Sequence, residues 1–282
     1  MKKRNDIQKE SYIKMQNLHT HTIYCDGRNT PEEMVKYALD KGFDSLGFSG
    51  HSYMFFSAYS GISAERTEKC NDEVRALAQK YKDTIKLYLG LEYDFYSDVD
   101  LSGYDYLIGS VHYLKIGDKY VAFDRGADEV KSVINEYFAG DGLAFAKEYY
   151  KTVAELPTRG KFDIIGHFDL ITKNCDKTFL FDMDSKEYLS YAFEAIDALR
   201  GKIPLFEVNT GAIARGYRKT PYPAIPLLKE LKRCGFGAII SSDCHNGEYL
   251  DCAFSDAREL LLSCGFKEKY VLGENGFTAE KL

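Results

Sequence analysis

Apolar and polar residues alternate through short runs along this chain, and between those runs apolar positions return at helical spacing. The run Tyr12-Ile13-Lys14-Met15-Gln16-Asn17-Leu18 has period-two character and predicts a β-strand. Thr30-Pro31-Glu32-Glu33 then opens a helix, with a Thr cap, Pro at the first helical position and a carboxylate two residues on; that helix is predicted over 32–41 and stops at Gly42. Further strands are predicted in 44–50, 87–92, 106–111, 162–166, 203–209 and 237–243, and further helices over 64–81, 143–156, 185–200, 224–233 and 255–262. Roughly seven strand-then-helix units without a composition break predict an α/β chain, one barrel-like domain over residues 1–282. The alternation lapses over 115–145, where Ile116-Gly117-Asp118-Lys119-Tyr120 suggests a short hairpin and 128–138 a helix; this stretch reads as an insertion over the site. The aromatic loop over 52–59 suits a pocket wall or a packed rim equally, and Tyr270-Val271-Leu272 reads as a short tail.

The histidines add chemistry to this pattern. His19 and His21 sit two residues apart at the end of the first predicted strand, so both imidazoles project to one face. The other four, His51, His112, His167 and His245, also end predicted strands. Glu92 and Asp243 share that placement. Barrels of parallel strands collect functional residues from the carboxyl ends of several strands, so a metal cluster is the expected product. The plainer alternative, six unrelated core or surface histidines, requires all of them to fall there by coincidence.

Composition narrows the task. A net charge of −6 argues against nucleic acid as the main partner, and no run of 18 apolar residues suggests a membrane span. The seven cysteines are scattered without a Cys-x-x-Cys pair, and the polar start over residues 1–6 has no apolar leader, so a reduced, cytoplasmic protein is expected. Cys25 and Cys244 lie beside candidate site residues, where small buried filler is the favoured role.

Leu18-His19-Thr20-His21 with Asp26-Gly27, then His51, Gly90-Leu91-Glu92, Ser110-Val111-His112, Gly166-His167 and Ser242-Asp243-Cys244-His245, resembles the PHP (polymerase and histidinol phosphatase) superfamily. Chain length, the insertion and Glu207-Val208-Asn209-Thr210-Gly211 running on to Arg215-Gly216 resemble its monofunctional histidinol-phosphatase branch. The resemblance implies a distorted (β/α)7 barrel with three divalent metal ions, zinc, manganese or iron, at the strand carboxyl ends. It implies one ion on His19, His21, Glu92 and Asp243, a second on Glu92, His112 and His167, and a third on Asp26, His51 and His245. Several members of the superfamily place a histidine where this chain has Asp26. The implied activity is hydrolysis of a small-molecule phosphate ester, L-histidinol phosphate, with a hydroxide bridging two ions as nucleophile. Glu92 would be catalytic as the bridging ligand. Asp243, His245 or a metal-bound water would protonate the leaving group.

Arg215 is the candidate phosphate clamp, because guanidinium matches phosphate oxygens in a bidentate fork. Lys173 is a weaker one. Glu207 and Asn209 share a strand face and suit either substrate recognition or a buried hydrogen-bond pair. Asp124 and Asp169 are candidates for orienting imidazoles. Two further readings stand beside histidinol phosphate: a phosphoesterase of the same superfamily acting on a nucleotide, sugar phosphate or phosphotyrosine, and a metal-binding module without catalysis. The oligomeric state is left open by the sequence.

Overall fold

The computed structural model describes residues 14–57 and 62–282. Tyr12 and Ile13 of the expected first strand, the polar start over 1–6, and Ala58 and Tyr59 of the aromatic loop lie outside them. In chain order the first elements are β1 (Gln16–Asn17), α1 (Pro31–Asp40), β2 (Ser45–Phe48), α2 (Ala64–Lys80), β3 (Lys86–Asp94) and β4 (Tyr106–Ser110). A hairpin of β5 (Tyr113–Ile116) and β6 (Lys119–Ala122) follows, then α3 (Ala127–Phe138), α4 (Gly142–Ala154), β7 (Ile164–Ile165) and α5 (Lys186–Leu199). The chain continues through β8 (Leu205–Asn209), α6 (Gly211–Ala214), α7 (Ile225–Arg233), β9 (Gly237–Ser241), α8 (Phe254–Ser263) and a second hairpin, β10 (Glu268–Gly273) with β11 (Gly276–Lys281).

Seven parallel strands form one sheet in the order β1-β2-β3-β4-β7-β8-β9, as expected for a (β/α)7 barrel. The sheet closes where Thr20 bridges Cys244 in parallel, with His21 N donating to Cys244 O at 2.8 Å and Cys244 N donating to His19 O at 3.1 Å. Among the described residues, β1 covers Gln16–Asn17 of the strand predicted over 12–18. Beyond Asn17 the chain divides its backbone bonds between the β2 side, where Ser49 N donates to Thr20 O, and the segment after β9. At α1 the cap follows the sequence: Glu33 N donates to Thr30 Oγ1 at 3.2 Å and Thr30 N donates to Glu33 Oε2 at 2.8 Å.

Inside the barrel, Leu18, Tyr88, Tyr106, Ile108, Ile164, Leu205, Ile239 and Leu272 form the core. The Tyr106 ring crosses the interior and its hydroxyl donates to Leu18 O. That crossing requires glycine on the neighbouring strands, since a Cβ at Gly47 or Gly90 would lie 2.2 Å from the tyrosine side chain. The amino-terminal mouth is stopped by the β10–β11 hairpin, which replaces the short tail expected from sequence. Gln16 holds it, donating to Leu272 O at 3.0 Å and accepting from Leu272 N at 2.8 Å, while Tyr88 OH donates to the same carbonyl at 2.9 Å. With one mouth plugged, the open end lies at the strand carboxyl termini.

Candidate metal centre

All nine side chains named as metal ligands from the sequence gather at that open end. His19 and His21 flank the closing bridge; Asp26 stands in the loop that follows, His51 beyond β2, Glu92 within β3, His112 beyond β4, His167 beyond β7, and Asp243 and His245 beyond β9. Glu92 is the hub. Its Oε2 lies 2.8 Å from His51 Nδ1, 3.3 Å from His19 Nε2 and 3.6 Å from His21 Nε2; its Oε1 lies 2.9 Å from His167 Nε2 and 3.3 Å from His112 Nε2. Asp243 Oδ1 is 3.1 Å from His21 Nε2, and Asp26 Oδ2 is 3.2 Å from His245 Nε2. Asp243 adopts a left-handed backbone, φ 46°, which an aspartate tolerates better than most residues, and the turn it makes brings its carboxylate back over the strand ends.

Three ligand sets have their donor atoms within 4.8 Å of one another: His19, His21 and Asp243; His51, Glu92 and His112; His21, Asp26, His51 and His245. His21 and His51 each serve two sets, whereas the grouping implied by the resemblance gives each of them to one ion. His167 joins through Glu92 and through its Nε2, 3.2 Å from His112 Nε2. The residues fit cations on a second count. His19 Nε2, His21 Nε2 and Glu92 Oε2 are buried and meet no hydrogen-bond partner, so their lone pairs converge on shared space that only an electron-pair acceptor satisfies.

The electrostatics of the protein groups follow from crowding in a buried space. Burial opposes charge on Glu92, yet His19, His51 and His112 outweigh it and hold the carboxyl well below its ordinary range. Burial is likewise outweighed at Asp243, chiefly by Arg215 and His19. At His112 the carboxylates of Glu92 and Asp94 overcome burial and lift the imidazole to about 10. At His21, burial acts together with the like charges of His245 and His51 and pushes it down to about 3.

The remaining predicted residues separate into two groups. Arg215 and Lys173 line the centre's cavity of about 220 Å³ together with Asp124 and Tyr217. Arg215 Nη1 reaches His245 Nδ1 at 3.0 Å, and Lys173 Nζ sits 2.5 Å from Asp124 Oδ1 and 4.4 Å over the Tyr217 ring. Glu207 and Asn209 stay out of the cavity. Both are fully buried, and Asn209 Nδ2 donates to Glu207 Oε1 at 2.8 Å. Asp169 orients no imidazole; it accepts from Ala224 N at 3.0 Å and pairs with Arg218 at 3.5 Å. The imidazole partner that sequence reading missed is Asp94, whose Oδ2 accepts from His112 N at 2.9 Å and His112 Nδ1 at 3.2 Å. Its signal was present, since Asp94 lies two residues after Glu92 on the same strand face. A second cavity of about 180 Å³ adjoins the centre through His51 and His112, walled by Met54, Tyr113 and Ala122, with Asp26, Asp94 and Asp124 as its acidic groups and Arg125 beside them.

The model of the PHP domain family matches residues 17–211. The chain belongs to the PHP domain family. A Deinococcus radiodurans protein named "Probable histidinol-phosphatase" is 29% identical over 261 residues, covering 88% of this chain and 92% of that protein. The Bacillus subtilis histidinol-phosphatase is 24% identical over 250 residues, covering 80% of this chain and 92% of its own. Among solved structures, the Lactococcus lactis histidinol phosphate phosphatase, in complex with zinc, L-histidinol and phosphate, superposes with a TM-score of 0.72 at 22% identity, covering 94% of this chain and 99% of that one. No described helix is long and apolar enough to cross a membrane.

Proposed function

We propose that this PHP-family chain is a metal-dependent phosphomonoesterase that hydrolyses L-histidinol phosphate to L-histidinol and phosphate. The observation that carries the reading is the cluster of six imidazoles with Asp26, Glu92 and Asp243 beside a cavity that is also lined by two cations of the chain, Arg215 and Lys173. The names of its relatives support the choice of substrate, as do the ligands of the Lactococcus lactis structure. In this reading the centre takes up to three divalent ions, zinc, manganese or iron, on His19, His21, Asp26, His51, Glu92, His112, His167, Asp243 and His245. Such ions supply Lewis acidity and make hydroxide available near neutral pH.

The chain's own groups do the rest. Arg215 and Lys173 bind phosphate oxygens and offset the negative charge that grows during in-line displacement. Glu92 holds the two sides of the centre in register. As the bond from phosphorus to the ester oxygen breaks and a water oxygen takes its place, the departing alkoxide needs one proton, and Asp243 and His245 face the cavity where it leaves. The adjoining half-apolar cavity lodges the leaving group, its acidic members matching a cationic amino alcohol. The same reading takes the chain as one unit, with 115–145 walling the leaving-group side, and assigns it to the cytoplasm.

The test is steady-state phosphate release from L-histidinol phosphate beside a panel of other phosphomonoesters, with zinc, manganese or ferrous iron restored. A kcat/KM within the usual enzyme range of about 10⁴–10⁸ M⁻¹s⁻¹, far above the panel, is expected. A better panel member overturns the substrate, and no hydrolysis by metal-loaded protein overturns the activity.

A further inference from the structure

Glu207 lies behind the centre and takes part in neither cavity. It is fully buried on β8, and four donors converge on its two oxygens. Oε2 accepts from His19 Nδ1 at 2.9 Å and from Ser241 Oγ at 2.6 Å; Oε1 accepts from the His167 amide at 2.6 Å and from Asn209 Nδ2 at 2.8 Å. A carboxylate offers about four lone-pair sites, so this one is saturated by the chain itself and keeps none for a cation or substrate. A group so enclosed acts only through its neighbours.

We propose that Glu207 is a positioning residue that fixes the tautomer and ring plane of His19, so that Nε2 faces the centre as a bare lone pair. Neutral imidazole carries one N–H, and the hydrogen bond made by one nitrogen decides what the other can do. In a neutral ring, Nδ1–H given to Glu207 leaves Nε2 as the nitrogen with the lone pair, and that atom is buried, 3.3 Å from Glu92 Oε2 and 3.7 Å from Asp243 Oδ1. The geometry calls for an acceptor at both oxygens of this side chain. All four neighbours are donors, so an amide nitrogen in place of either oxygen would set N–H against N–H or O–H. In Glu207→Gln the relief open to His19 is to turn Nδ1 into an acceptor, which moves its hydrogen to Nε2 and blocks ligation. The inference rests on His19 serving as a ligand in the reading above.

The experiment is zinc binding to metal-free wild type, Glu207→Gln, His19→Ala and the double variant, by competition with a chromophoric chelator and by bound-metal analysis, with circular dichroism to verify folding. Expected is a loss of about 10–100-fold in affinity for at least one ion in Glu207→Gln. The double variant should bind no more weakly than His19→Ala alone, because Glu207 acts through that ring. Wild-type affinity in folded Glu207→Gln, or additive losses in the double variant, would overturn the assignment. If Glu207→Gln does not fold, long-range ¹⁵N spectra of zinc-loaded wild type decide the matter: a protonated Nδ1 with a ligated Nε2 at His19 upholds it, and the reverse sinks it. Failure of wild type to bind any zinc would remove the metal reading itself, and this inference with it.

Discussion

Arg215 donates from Nη2 to Asp243 Oδ2 at 2.9 Å, while the other oxygen of that carboxylate lies 3.1 Å from His21 Nε2. The guanidinium is therefore anchored to a candidate metal ligand, and a second bond from Nη1 to Asp243 O, 3.0 Å, fixes its plane. A free phosphate clamp would affect KM chiefly on removal. Arg215→Ala here should lower kcat as well, because Asp243 loses the partner that keeps it aimed. A fall in kcat/KM of about 100-fold, shared between both constants, is expected from initial-rate kinetics. Arg215→Lys should recover little, since a point charge cannot span both contacts.

Glu92 touches both halves of the centre, so its loss should exceed the about 100-fold that removing an outer partner costs. Glu92→Ala is expected to bind fewer ions per chain than wild type and to turn over below detection. Bound-metal analysis beside phosphate release checks both. Full metal content with a near-normal rate would count against the hub.

Chelation should destabilise the fold. An ion present at 100–1,000 times its dissociation constant stabilises by about 3–4 kcal/mol, equivalent to roughly 5–15 °C in Tm for a chain of this size. Thermal unfolding with and without a strong chelator, followed by zinc restoration, reads that shift. Equal melting curves would mean that no ion was held.

The Lys173–Asp124 pair predicts a pH dependence. Burial opposes charge on Asp124, but Lys173 first and His112 next outweigh it and hold the carboxyl down at about 2. The folded value lies below the about 3.9 of an unfolded aspartate, so the pair stabilises fully above that value and its contribution is lost as pH falls toward 2. Lys173→Met should thus be less stable than wild type at pH 7, and the gap should narrow toward pH 3. Urea midpoints across that range check the sign.

Much of this molecule was legible because most of the ligands follow a strand, and strand ends announce themselves: an apolar run stops and a histidine follows, as in Ile164-Ile165-Gly166-His167. Depth was harder to read. Period-two alternation puts Glu207 and Asn209 on one face of β8, but it cannot say whether that face meets substrate or the back of another side chain, and the structure sets both behind His19. The second hairpin was missed because its outer strand, β11, buries no residue and shows no apolar alternation; the turn signal lay in Glu274-Asn275-Gly276, where Gly276 takes φ 92°. Asp94 was passed over because an acidic residue near a strand end resembles ordinary surface until its partner is known.

The bridge between Thr20 and Cys244 joins segments from opposite ends of the described chain, and His19, His21, Asp243 and His245 flank it. Contacts so distant in sequence form late, because the entropy of the intervening chain is lost before they compensate for it. Ions that need ligands from both sides of this seam find no complete site on a chain whose ring is still open. For the ligand sets that span the seam, such as His19, His21 and Asp243, metal binding and ring closure are therefore coupled: an ion held there would also latch the barrel shut.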